Sequence, residues 1–141
     1  MISAGSLITR NPVTVKPDAS ILEGVRLMSA EKVGVVILRD PNHDIVGIVS
    51  ERDVIQSIAG GKDLNEPLEN IASKSVISVK DSDDVGAAAR TMADKKIRHL
   101  IVLDDSGDLS GVISIRDLVG ERSTLRAIAE SYGEEPPTGG D

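Results

Sequence analysis

Apolar and polar positions along this chain form short, regular blocks, and the blocks come twice. Val13–Val15 is a short apolar strand signal stopped by Pro17. Ser20-Ile-Leu-Glu23 is a capping-box pattern, and Ile21, Val25 and Met28 follow it at helical spacing, which predicts a helix to about Ala30. Val35–Leu38 is a continuous apolar run, as in a buried strand. Asp40-Pro-Asn-His-Asp44 is a turn, Ile45–Val49 the next strand, and a helix starts at Glu51. The same plan returns as Ile77–Val79, a helix from Asp84, Leu100–Leu103, the turn Asp104–Asp108, Leu109–Ile113 and a helix from Ile115. The order is β-α-β-β-α in each pass, an α/β (α+β) chain.

A shift of 64 positions superposes the two passes without a gap. Val15, Lys16, Arg26, Met28 and Lys32 fall on Val79, Lys80, Arg90, Met92 and Lys96. Gly47, Ser50, Arg52 and Asp53 fall on Gly111, Ser114, Arg116 and Asp117. The copies run over 6–60 and 70–124, with a connector at 61–69 that contains Pro67. One copy alone is marginal in size, so two copies packed through their sheets are expected to share a core. The run Ser123–Ser131 reads as a C-terminal helix, placed at 125–132, and the Pro-, Gly- and acid-rich end at 133–141 as a disordered tail.

Composition narrows the function. There are 23 acids against 16 bases and a formal charge of −7, which argues against a nucleic-acid partner, since phosphate neutralisation needs a basic face. Tyr132 is the one aromatic, so no aromatic platform for stacked bases exists, and any flat ring must lie between aliphatic side chains. The absence of cysteine removes disulfides and cysteine-ligated zinc and fits a reducing, cytoplasmic setting. No apolar run approaches the ~20 residues that span a bilayer, and the start has no basic n-region followed by a long apolar stretch.

The repeated phrase is GIVSERD at 47–53 and GVISIRD at 111–117. One reading is structural. Ser50 and Ser114 cap the helices that follow, and Asp53 and Asp117 sit in the first turn, where a carboxylate suits the dipole. Capping does not explain Arg52 and Arg116. The other reading is a nucleoside phosphate site. Helix-start amides and the serine hydroxyl face phosphate, the arginine grips it as a fork, and the aspartate accepts from ribose hydroxyls. Both readings use the same geometry and both stand on the sequence.

With the phrase in duplicate, the strand KIRHLIVLD (96–104) and the turn DSGD (105–108), the chain resembles a tandem CBS domain, the cystathionine-β-synthase-type pair or Bateman module. The resemblance covers about 6–122. It implies two repeats packed with pseudo-twofold symmetry, leaving two clefts that in many members bind AMP, ADP, ATP or S-adenosyl-methionine, and commonly a homodimer. It implies ribose contacts at Asp53 and Asp117 and ribose or phosphate contacts at Ser50 and Ser114, with Arg52 and Arg116 reaching phosphate. It also implies that adenine packs on apolar strand residues.

Arg98 and His99 open the middle strand of the second copy, where related modules often carry bases that face phosphate; the first copy has Gly34 and Val35 there. Only near charges count after screening, so the Asp117 cleft is expected to favour polyphosphate or to bind AMP more tightly. Alternatively Arg98 pairs with a surface acid and His99 touches only backbone. His43 lies in a polar turn. No third ligand type clusters with either histidine, which argues against a transition-metal site. Asp104–Asp108 lacks the sixth-position glycine and the distant glutamate of an EF-hand and reads as a β-turn. No nucleophile elbow, Walker loop, HExxH or cysteine site is present, so the chain reads as a non-catalytic, adenine-nucleotide-binding regulatory module acting on a partner protein. A ligand-free dimerisation scaffold is the alternative.

Overall fold

The computed structural model describes residues 1–119 and 129–130. These divide into two compact units: residues 12–76, and residues 1–11 together with those from Ile77 onward.

In the first of these, β1 (Thr14–Val15) lies parallel to β2 (Val35–Arg39), which pairs antiparallel with β3 (Ile45–Ser50). Helix α1 (Ile21–Glu31) joins β1 to β2, and α2 (Glu51–Ala59) follows β3 directly. The expected capping box forms: Glu23 N donates to Ser20 Oγ at 3.0 Å and Ser20 N to Glu23 Oε2 at 3.3 Å. The helix ends on Lys32, left-handed at φ 57°. Alternate residues of β2 face opposite ways. Val36 and Leu38 join Ile21, Met28, Val49, Val54 and Leu68 in the core, while Val35 and Ile37 are buried on the other face.

The second unit repeats the plan with β4 (Ser78–Lys80), α3 (Val85–Lys95), β5 (His99–Leu103), β6 (Leu109–Ser114) and α4 (Ile115–Val119, where this described stretch ends). Its sheet has the same order, β4-β5-β6, with the same parallel and antiparallel pairings. Ala4, Leu7, Val85, Ala88, Met92, Leu100, Val102, Ile113 and Leu118 form its core. The expected C-terminal helix and tail lie outside the described residues, apart from Ala129 and Glu130, which are helical.

The two turns are built alike. Asp40 Oδ1 accepts from Asn42 N and Asp44 N, and Asp104 Oδ1 from Ser106 N and Asp108 N. Each turn needs a positive φ at its fourth residue, supplied by His43 (φ 67°) and Gly107 (φ 83°). His43 is thus an exposed turn residue, and its carbonyl accepts from Arg39 Nε.

Each sheet is finished by a leader that carries a 3-10 turn: residues 65–75, with the turn at Leu68–Asn70, and residues 1–11, with the turn at Ala4–Leu7. Residues 61–69, expected to be a connector, pack within the 12–76 unit: Leu68 N donates to Ala19 O, Glu69 N to Pro17 O, and Ile21 N to Glu66 O. The equivalent leader for the other sheet is the chain's own start. Ala4 N donates to Asp83 O, Gly5 N to Asp81 O, and Val85 N to Ile2 O. The first eleven residues therefore belong with the second sheet, although they precede the first.

Candidate functional site

The repeated phrase folds into the same corner in both units. Strand β3 runs out at Ser50, whose backbone stays extended (φ −103°, ψ 164°), and α2 begins at the next residue. The strand glycine in each phrase is dictated by a close neighbour. A Cβ on Gly47 would sit 3.1 Å from Ala72 Cβ and 3.3 Å from Ser73 O, where the leader crosses and exchanges two backbone hydrogen bonds with Ile48. A Cβ on Gly111 would sit 2.9 Å from Ile8 Cγ2.

Ser50 and Asp53 close a reciprocal cap. Asp53 N donates to Ser50 Oγ at 3.2 Å, while Ser50 N and Oγ donate to Asp53 Oδ2 at 2.8 and 2.9 Å. In the second unit Asp117 N donates to Ser114 Oγ at 3.2 Å and Ser114 N to Asp117 Oδ2 at 2.8 Å. The structural reading of the phrase is therefore realised: both pairs tie off their own helices. A cap of this kind contributes roughly 1 kcal/mol.

The cap does not consume the corner. Both carboxylates use Oδ2, and among the described residues Oδ1 of each takes no hydrogen bond. The first helical amide is occupied: Glu51 N donates to Gly34 O and Ile115 N to Arg98 O, each at 2.9 Å. The third residue's amide goes to the serine. That leaves the amides of Arg52 and Arg116 as first-turn donors without a partner among the described residues. Both arginine side chains are exposed and pair with no carboxylate among the described residues. An open amide, a guanidinium and an open carboxylate oxygen thus share each corner, a set suited to a ribose and a phosphate; the serine hydroxyl beside them donates within the cap at Ser50 but, among the described residues, not at Ser114.

The other sequence candidates join the same corners. In the strand ladder Val35 stands opposite Ser50, and His99 opposite Ser114. Arg98 is exposed and forms no ion pair with an acid among the described residues, whereas His99 is half-buried. The unit from residue 12 to 76 brings together Val35, Ser50, Arg52 and Asp53; the other brings together Arg98, His99, Ser114, Arg116 and Asp117. Among the described residues no group of three or more His, Asp or Glu side chains is placed to hold a metal ion.

Sequence reasoning passed over Glu51. Its carboxylate lies over Gly34, with Cδ 3.5 Å and Oε1 3.6 Å from where a Cβ on that glycine would sit. The signal was the exchange of Glu51 for Ile115 inside the repeated phrase.

Comparison with known proteins bears on this duplicated corner. The CBS domain model matches twice, at residues 4–60 and 68–123. The chain belongs to the CBS domain family. A solved CBS domain protein from Pyrobaculum aerophilum, complexed with AMP, is 37% identical, covers 92% of this chain and 99% of its own, and superposes with a TM-score of 0.87. An uncharacterized 17.7 kDa protein of Acidianus ambivalens is 32% identical over 128 residues, 91% of this chain and 76% of the relative. The inosine-5'-monophosphate dehydrogenase of Chlorobaculum parvum is 28% identical over 131 residues, but only 26% of the enzyme is matched. The CBS pair thus corresponds to about a quarter of that enzyme. Among the described residues of this CBS pair, no helix is long and apolar enough to cross a membrane. The first CBS match includes the leader from residue 4, so part of that repeat by sequence belongs to the other unit by packing.

Proposed function

We propose that this CBS pair is a regulatory module that binds adenosine-containing ligands, AMP foremost, and carries no catalysis of its own. The AMP complex of the 37% identical relative, over 92% of this chain, is the observation that carries the reading. The open carboxylate oxygen, amide and arginine at each corner support it. Asp53 and Asp117 would accept from ribose hydroxyls; Ser50, Arg52, Ser114 and Arg116 would face phosphate. Val35 would lie against the base, and Arg98 and His99 would add phosphate contacts on their side. ADP, ATP and S-adenosyl-methionine are the other candidate ligands. Ligand would act by shifting an equilibrium between arrangements, to the extent of its differential affinity, and a partner protein in a cytoplasmic setting would read the result.

Calorimetric titration of the full chain with AMP, ADP, ATP and S-adenosyl-methionine tests this. Saturable AMP binding that weakens in Asp53→Asn and Asp117→Asn is the expected result; silence from all four ligands refutes it. A second reading, a ligand-free scaffold that pairs two copies, is favoured by Ile55 and Ile58, which are 66% and 54% exposed on α2. Silence from the ligands together with a dimer in sedimentation would favour that reading.

A further inference from the structure

The two corners share one backbone frame but differ in formal charge at two positions, Gly34 against Arg98 and Glu51 against Ile115, and in polarity at a third, Val35 against His99. In each unit the carbonyl before the middle strand accepts from the first helical amide at 2.9 Å, which fixes Gly34 beside Glu51 and Arg98 beside Ile115. In the 12–76 unit the first partner has no side chain, and the Glu51 carboxylate fills that space. In the other unit Arg98 holds the equivalent backbone position, its side chain exposed, and the helix begins with an isoleucine. One corner therefore carries an extra carboxylate, and the other an extra guanidinium. Everything else that bears charge in the phrase, Arg52 with Asp53 and Arg116 with Asp117, is common to both.

We infer that the two corners sort adenosine ligands by charge: the Arg98 corner takes phosphorylated adenosine, and the Glu51 corner takes an adenosine whose 5' group is neutral or cationic. The inference rests on the adenosine-binding reading above and adds a division of labour to it. A carboxylate placed where a ligand's phosphate lies near the helix start opposes the attraction of the arginine and the open amide. It repels phosphate and leaves a neutral ribose derivative unaffected. A sulfonium or amine at the same point is attracted. On a chain of net charge −7, screening confines the contest to these nearest groups.

Nitrogen-15 amide spectra of the full chain read the corners separately, through Arg52 and Asp53 on one side and Arg116 and Asp117 on the other. Adenosine and AMP are titrated in turn. The Arg98 corner is expected to prefer AMP over adenosine by about tenfold, and the Glu51 corner to show no such preference or the reverse. Glu51→Gln should raise AMP affinity at its own corner by about threefold and leave adenosine unchanged, and Arg98→Gln should lower AMP affinity at the other. Both residues are exposed, so neither change threatens folding. Equal AMP-to-adenosine ratios at the two corners, or ratios untouched by Glu51→Gln and Arg98→Gln, overturn the sorting while adenosine binding stands. Failure of both ligands to move either set of amides overturns the adenosine reading itself.

Discussion

Leu68 fills the space that Gly24 leaves open. A Cβ on Gly24 would stand 2.8 Å from both Leu68 Cδ1 and Cδ2, and Leu68 is fully buried. In the other unit the equivalent positions are Ala88 and Ala4, both fully buried. A glycine with a leucine does the work of two alanines, so the leader seats on the helix in both units with side-chain bulk divided differently. Gly24→Ala forces the leucine to move, at a cost of about 1–3 kcal/mol, partly offset by up to about 1 kcal/mol of helix propensity. Leu68→Ala alone should cost about 2–4 kcal/mol. The double variant recreates the alanine pair and is expected to be more stable than the sum of the single effects by about 1 kcal/mol, measured by urea unfolding. Strict additivity would mean the two residues do not share this space.

Asp53 has two jobs that substitution can separate. Asp53→Asn keeps an oxygen that can accept from Ser50 N at the cap, but removes the charge and gives up one acceptor. The expected outcome is a loss of stability below about 1 kcal/mol. Adenosine binding at that corner should fall by about tenfold or more, because a hydrogen bond to a charged group is lost. Thermal unfolding and calorimetry on the same preparation check both halves. Asp53→Asn that binds adenosine at that corner as wild type does would assign the carboxylate to capping alone.

Local chemistry made much of the fold and of each corner legible in the sequence. The 64-residue period places Ser50 and Asp53 on Ser114 and Asp117, and Ser-x-x-Asp after an apolar run is a helix start on local chemistry alone. Ser20-x-x-Glu23 formed its capping box, and both Asp-x-x-x-Asp turns formed. All of these rest on bonds between residues a few positions apart. The leaders did not show themselves. Residues 1–11 and 65–75 have neither helical nor strand periodicity, because they dock as 3-10 turns through backbone bonds to sites such as Asp81 and Ala19. Gly47 reads in the sequence as a point where another backbone can come close, as the structure bears out; which atoms exclude a Cβ at 47 and 111 does not show, since they belong to those leaders. Glu51 over Gly34 is a tertiary contact between a helix and the residue before a strand, and no local pattern encodes it.

Lys32 and Lys96 end their helices in the left-handed conformation, at φ 57° and 56°. A side chain there costs roughly 1 kcal/mol relative to glycine, which enters that region freely. Both lysines are exposed and bury nothing on substitution. Lys96→Gly is expected to stabilise the protein by about 0.5–1 kcal/mol, despite the greater freedom of glycine in the unfolded chain. Chemical denaturation provides the measurement. A destabilised variant would show that the lysine contributes through interactions of its own.

The leader at the chain start gives the sharpest prediction about the two units. Ala4 and Leu7 lie in the core built by α3, β5 and β6, and Ile2 and Ile8 pack against it. The amides of Ala4 and Gly5 bond to the Asp83 and Asp81 carbonyls, and Ile2 O accepts from Val85 N at the start of α3. Removing residues 1–11 strips that core of two buried side chains and leaves the Val85 amide without its partner. The 12–76 unit is contiguous in sequence and keeps its own leader, with Leu68 in place. Amide hydrogen exchange on the truncated chain should therefore show protection lost across Val85–Lys95 and His99–Leu103, with Ile21–Glu31 and Val35–Arg39 changed far less. The cause is local: the hydrogen bonds and apolar packing that the leader supplies belong to one unit, and a domain core is sensitive to each buried methyl group removed from it. Uniform loss of protection along the whole chain would show instead that the two units unfold as one.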